Sequence, residues 1–365
     1  MTKVVAGWLA VMLIGAPLLG QNLCEYQAPE TYLQDLKISF YYRHFDAPDG
    51  PGPEVSSGRL FSSYYLLQDS PTFGLSFTGS GEVNLQGLQV GGIAGEASGT
   101  LRRYFQEEAP YFAFGGLEAS WASGFALPGV EVRGGLGYGH FTDVTPLAKA
   151  YRIEAKLLEQ GAIAAALSNE ALLAVAREIG RRAEFPGLAD LVAAVEEIIE
   201  AETHATLDAR ALLTIEEIIE EEGWSRYCGY ALQLGVGYQL LDPEGQERDF
   251  LVTMSAEGAL APEPGSQLLV RASFSGPIPI TEQYTLTLTA SYDYRLNETT
   301  TFVAQYSLRQ VKPAGQVPAG DQSALFRLNF DFGGADFSLQ VTFSKVAEDP
   351  TWTQDLIMSV GMDIL

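Results

Sequence analysis

The sequence predicts an all-β transmembrane protein: an antiparallel up-and-down β-barrel of about fourteen strands, twelve being the alternative count, with an α-helical insert. Three observations predict it. Long segments alternate apolar and polar residues without losing phase. The first residues read as an export signal. One central stretch changes to helical spacing. The chain divides into a signal peptide at 1–20, barrel strands at 21–145, a helical insert at 146–222 and further strands at 223–365.

Composition narrows the classes. The formal net charge is -24 over 365 residues. Nucleic acid is excluded as a partner, because its phosphates need Lys and Arg. Such a charge suits an exported, water-facing surface. Hydrophobic residues make up 47% and mean hydropathy is only +0.05, too low for a helical membrane protein of this size.

The signal comes first. Lys3 precedes an apolar run from Val4 to Leu19, broken by Gly15, Pro17 and Gly20. This is the charged start, apolar core and small-residue boundary of a secretory signal, with cleavage after Gly20. No later stretch reaches roughly 18 consecutive apolar residues, so nothing else spans as a helix.

The strands carry the argument. Tyr284, Leu286, Leu288, Ala290, Tyr292, Tyr294 and Leu296 share one face, and Thr285, Thr287, Thr289, Ser291, Asp293 and Arg295 the other. Side chains alternate along a strand, so one side is apolar and one polar. Tyr230 to Gln239, Phe326 to Phe332 and Phe337 to Ser344 repeat the pattern. Soluble strands average about five or six residues, whereas membrane strands need about nine to eleven. Several runs here are long enough for the second class. Their polar faces are rich in Gly, Ser and Thr, which suits a lumen better than a solvated sandwich surface. Tyr32, Tyr42, Tyr284, Tyr294 and Trp352 stand near run ends, as interfacial girdles do. The runs at 58–67 and 88–105 are less regular, which leaves the count between twelve and fourteen. An even count puts both termini on one side, and the long loops at 46–57, 241–249 and 310–322 then fall on the other.

Residues 146–222 turn to Ala, Leu, Ile and Glu at helical spacing. Four helices are expected, near 147–166, 169–183, 187–202 and 206–222, split at Ser168-Asn169, Phe185-Pro186-Gly187 and Thr203-His204. The Glu runs read as solvated helix faces rather than a cation site. Each helix keeps an apolar stripe that needs an apolar partner, so a bundle beneath the barrel mouth is expected in preference to a plug inside it.

Bond-making chemistry is not expected. His44, His140 and His204 fall on separate elements, so no metal centre forms, and no cofactor motif occurs. Cys24 and Cys228 are an even pair in an exported chain, which permits one disulfide. Leu23 is too large to precede a lipidated cysteine at position 24. The polar faces carry charges that would line the lumen: Lys37, Arg43, Arg133, Arg271, Arg309 and Arg327 against Glu82, Glu118, Glu131, Asp293, Asp331 and Asp355. Either they pair and hold the barrel's shape, or a basic cluster at Arg309 and Arg327, side by side near the outer ends of neighbouring strands, favours anions.

The signal, the alternating strands through most of 31–365 and the rhythm of short turns and long loops resemble the bacterial outer-membrane β-barrel class, including porins. One departure is that the apolar face ends at Ile364, with Leu365 out of phase, where this class commonly ends on an aromatic residue. The resemblance implies an outer-membrane location, contact with outer-membrane lipid and passive passage of small solutes, with no enzymatic activity. The alternative is an anchor whose helices at 146–222 bind a periplasmic or cell-wall partner.

Overall fold

The computed structural model describes residues 23–26, 31–45, 55–87, 89–106, 110–221, 225–242, 250–297, 299–331, 335–346 and 349–362. The expected signal at 1–20 and the final pair Ile364 and Leu365 lie outside them.

Alternation becomes pairing. Six strands precede the helices: β1 (Thr31–Phe45), β2 (Val55–Asp69), β3 (Phe73–Gln86), β4 (Gln89–Tyr104), β5 (Tyr111–Ala122) and β6 (Gly129–Asp143). Eight follow: β7 (Tyr227–Leu241), β8 (Phe250–Leu260), β9 (Ser266–Pro277), β10 (Tyr284–Asn297), β11 (Thr300–Lys312), β12 (Ala319–Asp331), β13 (Ala335–Val346) and β14 (Asp349–Met362). They form one fourteen-stranded antiparallel sheet in sequence order, so the higher count holds. The two irregular runs are β2 and β4. Strands run from 11 to 16 residues, well beyond the soluble average.

Register keeps the two faces apart. Thr287, for example, stands opposite Ser273 on one side and Arg309 on the other, while Leu288 stands opposite Ala272 and Leu308. A one-residue slip would exchange every such pair, so each ladder is pinned by its own pattern. The apolar face is left bare: Leu136 is 63% exposed, Leu234 59% and Met358 63%. The polar face curls inward, because its side chains meet across the interior. Arg102 on β4 reaches Glu257 on β8 at 3.4 Å. The Arg271 guanidinium on β9 lies 4.4 Å from the ring centre of Tyr65 on β2.

Four helices link β6 to β7: α1 (Thr145–Gln160), α2 (Asn169–Gly180), α3 (Leu188–Thr203) and α4 (Ala209–Glu220). The first stops six residues short of expectation, because Gly161 at φ 71° caps it. Ser168 and Asp208 cap α2 and α4, accepting hydrogen bonds from the N–H groups of Ala171 (3.2 Å) and Ala211 (2.8 Å). The helices bury one shared core that includes Ile153, Leu157, Val175, Leu191, Ile199 and Ile215. That core extends to Leu23 and Tyr26 in the N-terminal segment, and to Val144, Cys228 and Ala261 at or beside strand ends. The bundle therefore sits against one end of the sheet, and its core is a separate cluster from the one inside the sheet. Cys24 and Cys228 are joined by a disulfide, which ties the short 3-10 turn Leu23–Glu25 to the start of β7.

Candidate functional site: the interior of the sheet

Every second residue of each strand points into the curl, so the interior is built from one face of many strands. Its charges are largely met. Glu82 is paired with Arg59. Arg133 donates to Ser98 (2.7 Å), Thr100 (3.2 Å) and Glu118 (3.4 Å). Asp293 pairs with Arg226 at 3.2 Å, just below β7. Arg271 covers Tyr65 and stands opposite Glu257 in the ladder. Arg309 stands opposite Asp321, whereas Asp331 stands opposite another carboxylate position, Asp336. Arg327 donates through Nε and Nη2 to the Gln340 side-chain oxygen at 2.9 and 2.6 Å. Lys37 and Arg43 take polar-face positions on β1, opposite Ser63 and Ser57, but their side chains lie outside the described residues.

One expectation is corrected. Arg309 and Arg327 are not neighbours. β12 begins at Ala319, and Arg327 stands opposite Val303, six positions along β11 from Arg309. At ~3.4 Å per residue the two are ~20 Å apart along the strand direction. The basic cluster expected at the outer rim does not form.

The wall is also less uniform than the Gly, Ser and Thr content suggests. Near the helix-bearing end, interior positions on β2 and on β4 to β9 are apolar. Leu67, Tyr104, Phe112, Phe114, Phe141 and Tyr227 are all less than a tenth exposed and form one cluster, with Tyr65 and Leu269 against it. It packs the interior near the helices between β2 and the strands β4 to β9. Among its neighbours is a buried polar group. Asp69 accepts from Tyr104 Oη at 3.0 Å and lies 3.4 Å from His140 Nδ1. Sequence reading did not select Asp69, Arg102 or Glu257. Their partners lie on strands remote in the chain, and no local spacing marks such pairs.

Beyond the cluster, a cavity of about 600 Å³ opens between β2 to β5 and β7 to β10. Thr78, Ser98, Arg102, Glu257 and Thr289 are among its walls. A second of about 310 Å³ follows β9 to β13, walled by Ser291, Gln305, Ser307, Ser323 and Thr342. Hydroxyls pair across the strands in this half of the sheet, with Ser307 and Ser323 at 2.7 Å and, further along, Ser338 and Ser359 at 2.6 Å. These walls present a polar surface whose hydroxyls are already satisfied by one another.

One solved structure similar to this chain is a porin. It is the NanC porin in a rhombohedral crystal form, at 7% identity and a TM-score of 0.24, covering 74% of this chain and 94% of the porin. No family model and no curated protein matches the chain.

Proposed function

We propose that the chain is an outer-membrane channel of the porin kind, through which small solutes pass passively. The observation that carries this reading is the inverted sheet, with its polar face turned inward and its apolar face bare. Water would punish that face at ~25 cal/mol per Å², and lipid would not. Aromatic pairs frame it at two levels. Tyr111 and Tyr138 (4.9 Å) with Tyr230 stand toward the helices. Tyr238 and Phe250 (4.9 Å) and Phe274 and Tyr284 (5.5 Å) stand toward the far end. Rings at two levels are what two lipid–water interfaces attract.

In this reading β14 closes on β1, because open edges are not tolerated in lipid. Residues 1–20 direct export. The helices face the periplasm and restrict the inner mouth, and their acidic faces repel anions approaching from below. A second reading has support in the apolar cluster that fills part of the interior. It makes the barrel an anchor and the helices the working part, holding an envelope or cell-wall partner.

Conductance separates the two. Full-length mature protein, folded by the criterion of faster gel migration before boiling, is placed in a planar bilayer. Discrete currents are expected. A folded but silent protein would leave only the anchor.

A further inference from the structure

We infer that solutes cross along the wall formed by β9 to β14, and that Arg327 on that wall sets their charge preference. This rests on the channel reading above. The argument begins with what is shut. Phe112 is fully buried and Tyr104, Phe141 and Tyr227 nearly so, so side chains pack against one another between the first strands and β6 to β9 near the helices. Direct contacts from Arg102 to Glu257 and from Arg271 to Tyr65 narrow the same half further up. The 600 Å³ cavity above shares Arg271 and Thr289 with the cavity along β9 to β13, so it is a side recess of that wall.

The other half differs. The described residues of the apolar cluster come from β2 and from β4 to β9, and none from β10 to β14. The polar face there is carried by Ser307, Ser323, Ser338 and Thr342. A solute moving from one end to the other has this side to follow.

Arg327 is set apart by its partner. On the polar face Arg59, Arg102 and Arg133 each meet a glutamate. Arg327 is held by the amide oxygen of Gln340, whose nitrogen donates to Thr342 at 3.1 Å and so fixes that oxygen toward the guanidinium. A neutral partner orients the cation without cancelling its charge. A fixed positive charge beside the path raises the local concentration of anions and lowers that of cations.

Two sets of variants test this in bilayers. The described chain has no free thiol, so Ser323→Cys and Thr78→Cys each add a single reactive group, one on the open wall and one in the side recess. With a charged methanethiosulfonate reagent, current through Ser323→Cys should fall and current through Thr78→Cys should persist. In a salt gradient, Arg327→Gln and Gln340→Glu should both move the reversal potential toward cation preference, the second by supplying the missing carboxylate. Block at Thr78→Cys, alone or with block at Ser323→Cys, overturns the route while the channel stands. An unmoved reversal potential in both charge variants overturns the role of Arg327. A wild-type protein without current removes the channel reading itself and this inference with it. Heat-dependent gel migration confirms folding of each variant.

Discussion

The ring of Phe112 occupies the space that a side chain on Gly137 would need. A Cβ at Gly137 would overlap its Cε2 and Cζ, and would lie 2.8 Å from the Leu232 carbonyl oxygen. β5 and β6 are neighbours, and the missing side chain on one is filled by the aromatic ring of the other. Gly137→Ala should therefore destabilise the sheet by ~1–3 kcal/mol, the usual range for overpacking. Gly115→Ala, where a Cβ would meet nothing within 4 Å, should be near neutral. The temperature at which fast gel migration is lost measures both. Equal loss in the two variants would refute the ring-on-glycine account.

The face assignment predicts a contrast between adjacent residues. Leu234 is exposed on the apolar face near the middle of β7, and Gln233 lines the 600 Å³ cavity. Leu234→Arg should cost ~2–4 kcal/mol or abolish membrane assembly, as charge at the bilayer midplane does. Gln233→Arg should assemble. Refolding yield into lipid vesicles reads the difference, and similar yields would mean that the sheet does not meet lipid on the Leu234 side.

Tyr26 predicts an alkaline transition in the bundle. Its hydroxyl donates to the Ala176 carbonyl oxygen at 3.2 Å. Burial, then the negative charge of Asp143, push its ionisation up from 10.0 to about 12, against the opposing pull of Arg177. The unfolded chain loses this proton first. The contribution of Tyr26 is thus complete below pH 10, declines as pH rises and is gone above about 12. Helical signal of the bundle should become easier to melt over that interval, and Tyr26→Phe should remove the step. A wild-type melting profile flat across the interval would contradict it.

The disulfide predicts a stability difference. Cys24 and Cys228 are 204 residues apart, so the link removes much freedom from the unfolded chain. Replacing both with Ser should lower stability by ~2–4 kcal/mol, felt most in the bundle core that holds Leu23 and Tyr26. Peptide mapping without reductant should recover the two cysteines in one species. Two free thiols in protein made under oxidising conditions would rule the link out.

Deleting residues 148–222, with Cys24→Ser to avoid a stray thiol and Cys228→Ser beside it, tests the restricting role of the helices. β6 and β7 are paired from Asp143 and Tyr227 upward, so a short turn can replace the insert. Conductance should rise, and the reversal potential should shift toward anions as the acidic helix faces are removed. Unchanged conductance in a folded deletion variant would leave the restriction to the apolar cluster alone.

Strands whose faces differ in chemistry were legible. Tyr284 to Leu296 reads as one strand, and β10 spans Tyr284–Asn297. β2 was harder because its interior positions include Tyr65 and Leu67, as apolar as its outer ones, so alternation fades where apolar side chains pack the interior. The four helices were legible from spacing and caps, with ends shifted by a few residues. The contacts across the interior were not. Arg102 finds Glu257 only because the sheet curls, and curvature leaves no periodic trace. The distance from Arg309 to Arg327 was misjudged for a related reason. It depends on where the loop lets β12 begin, and a loop's reach is not written in its residues.

Thirteen ladders join strands that follow one another, and twelve are bridged by links of at most nine residues; the ladder from β6 to β7 has the whole bundle between its strands. Val144 N–H donates to the Arg226 carbonyl oxygen at 2.8 Å, and Arg226 N–H donates to Thr145 Oγ1 at 2.8 Å, so the two ends of the bundle are already side by side. The consequence concerns the order of assembly. Loop closure grows slowly more costly with length, and a chain of loose helices would delay this one pairing behind all the others. A bundle that folds first in water presents Asp143 and Tyr227 in register and acts as an oversized hairpin turn. The six strands before it and the eight after it can then zip outward in both directions from the centre of the sheet.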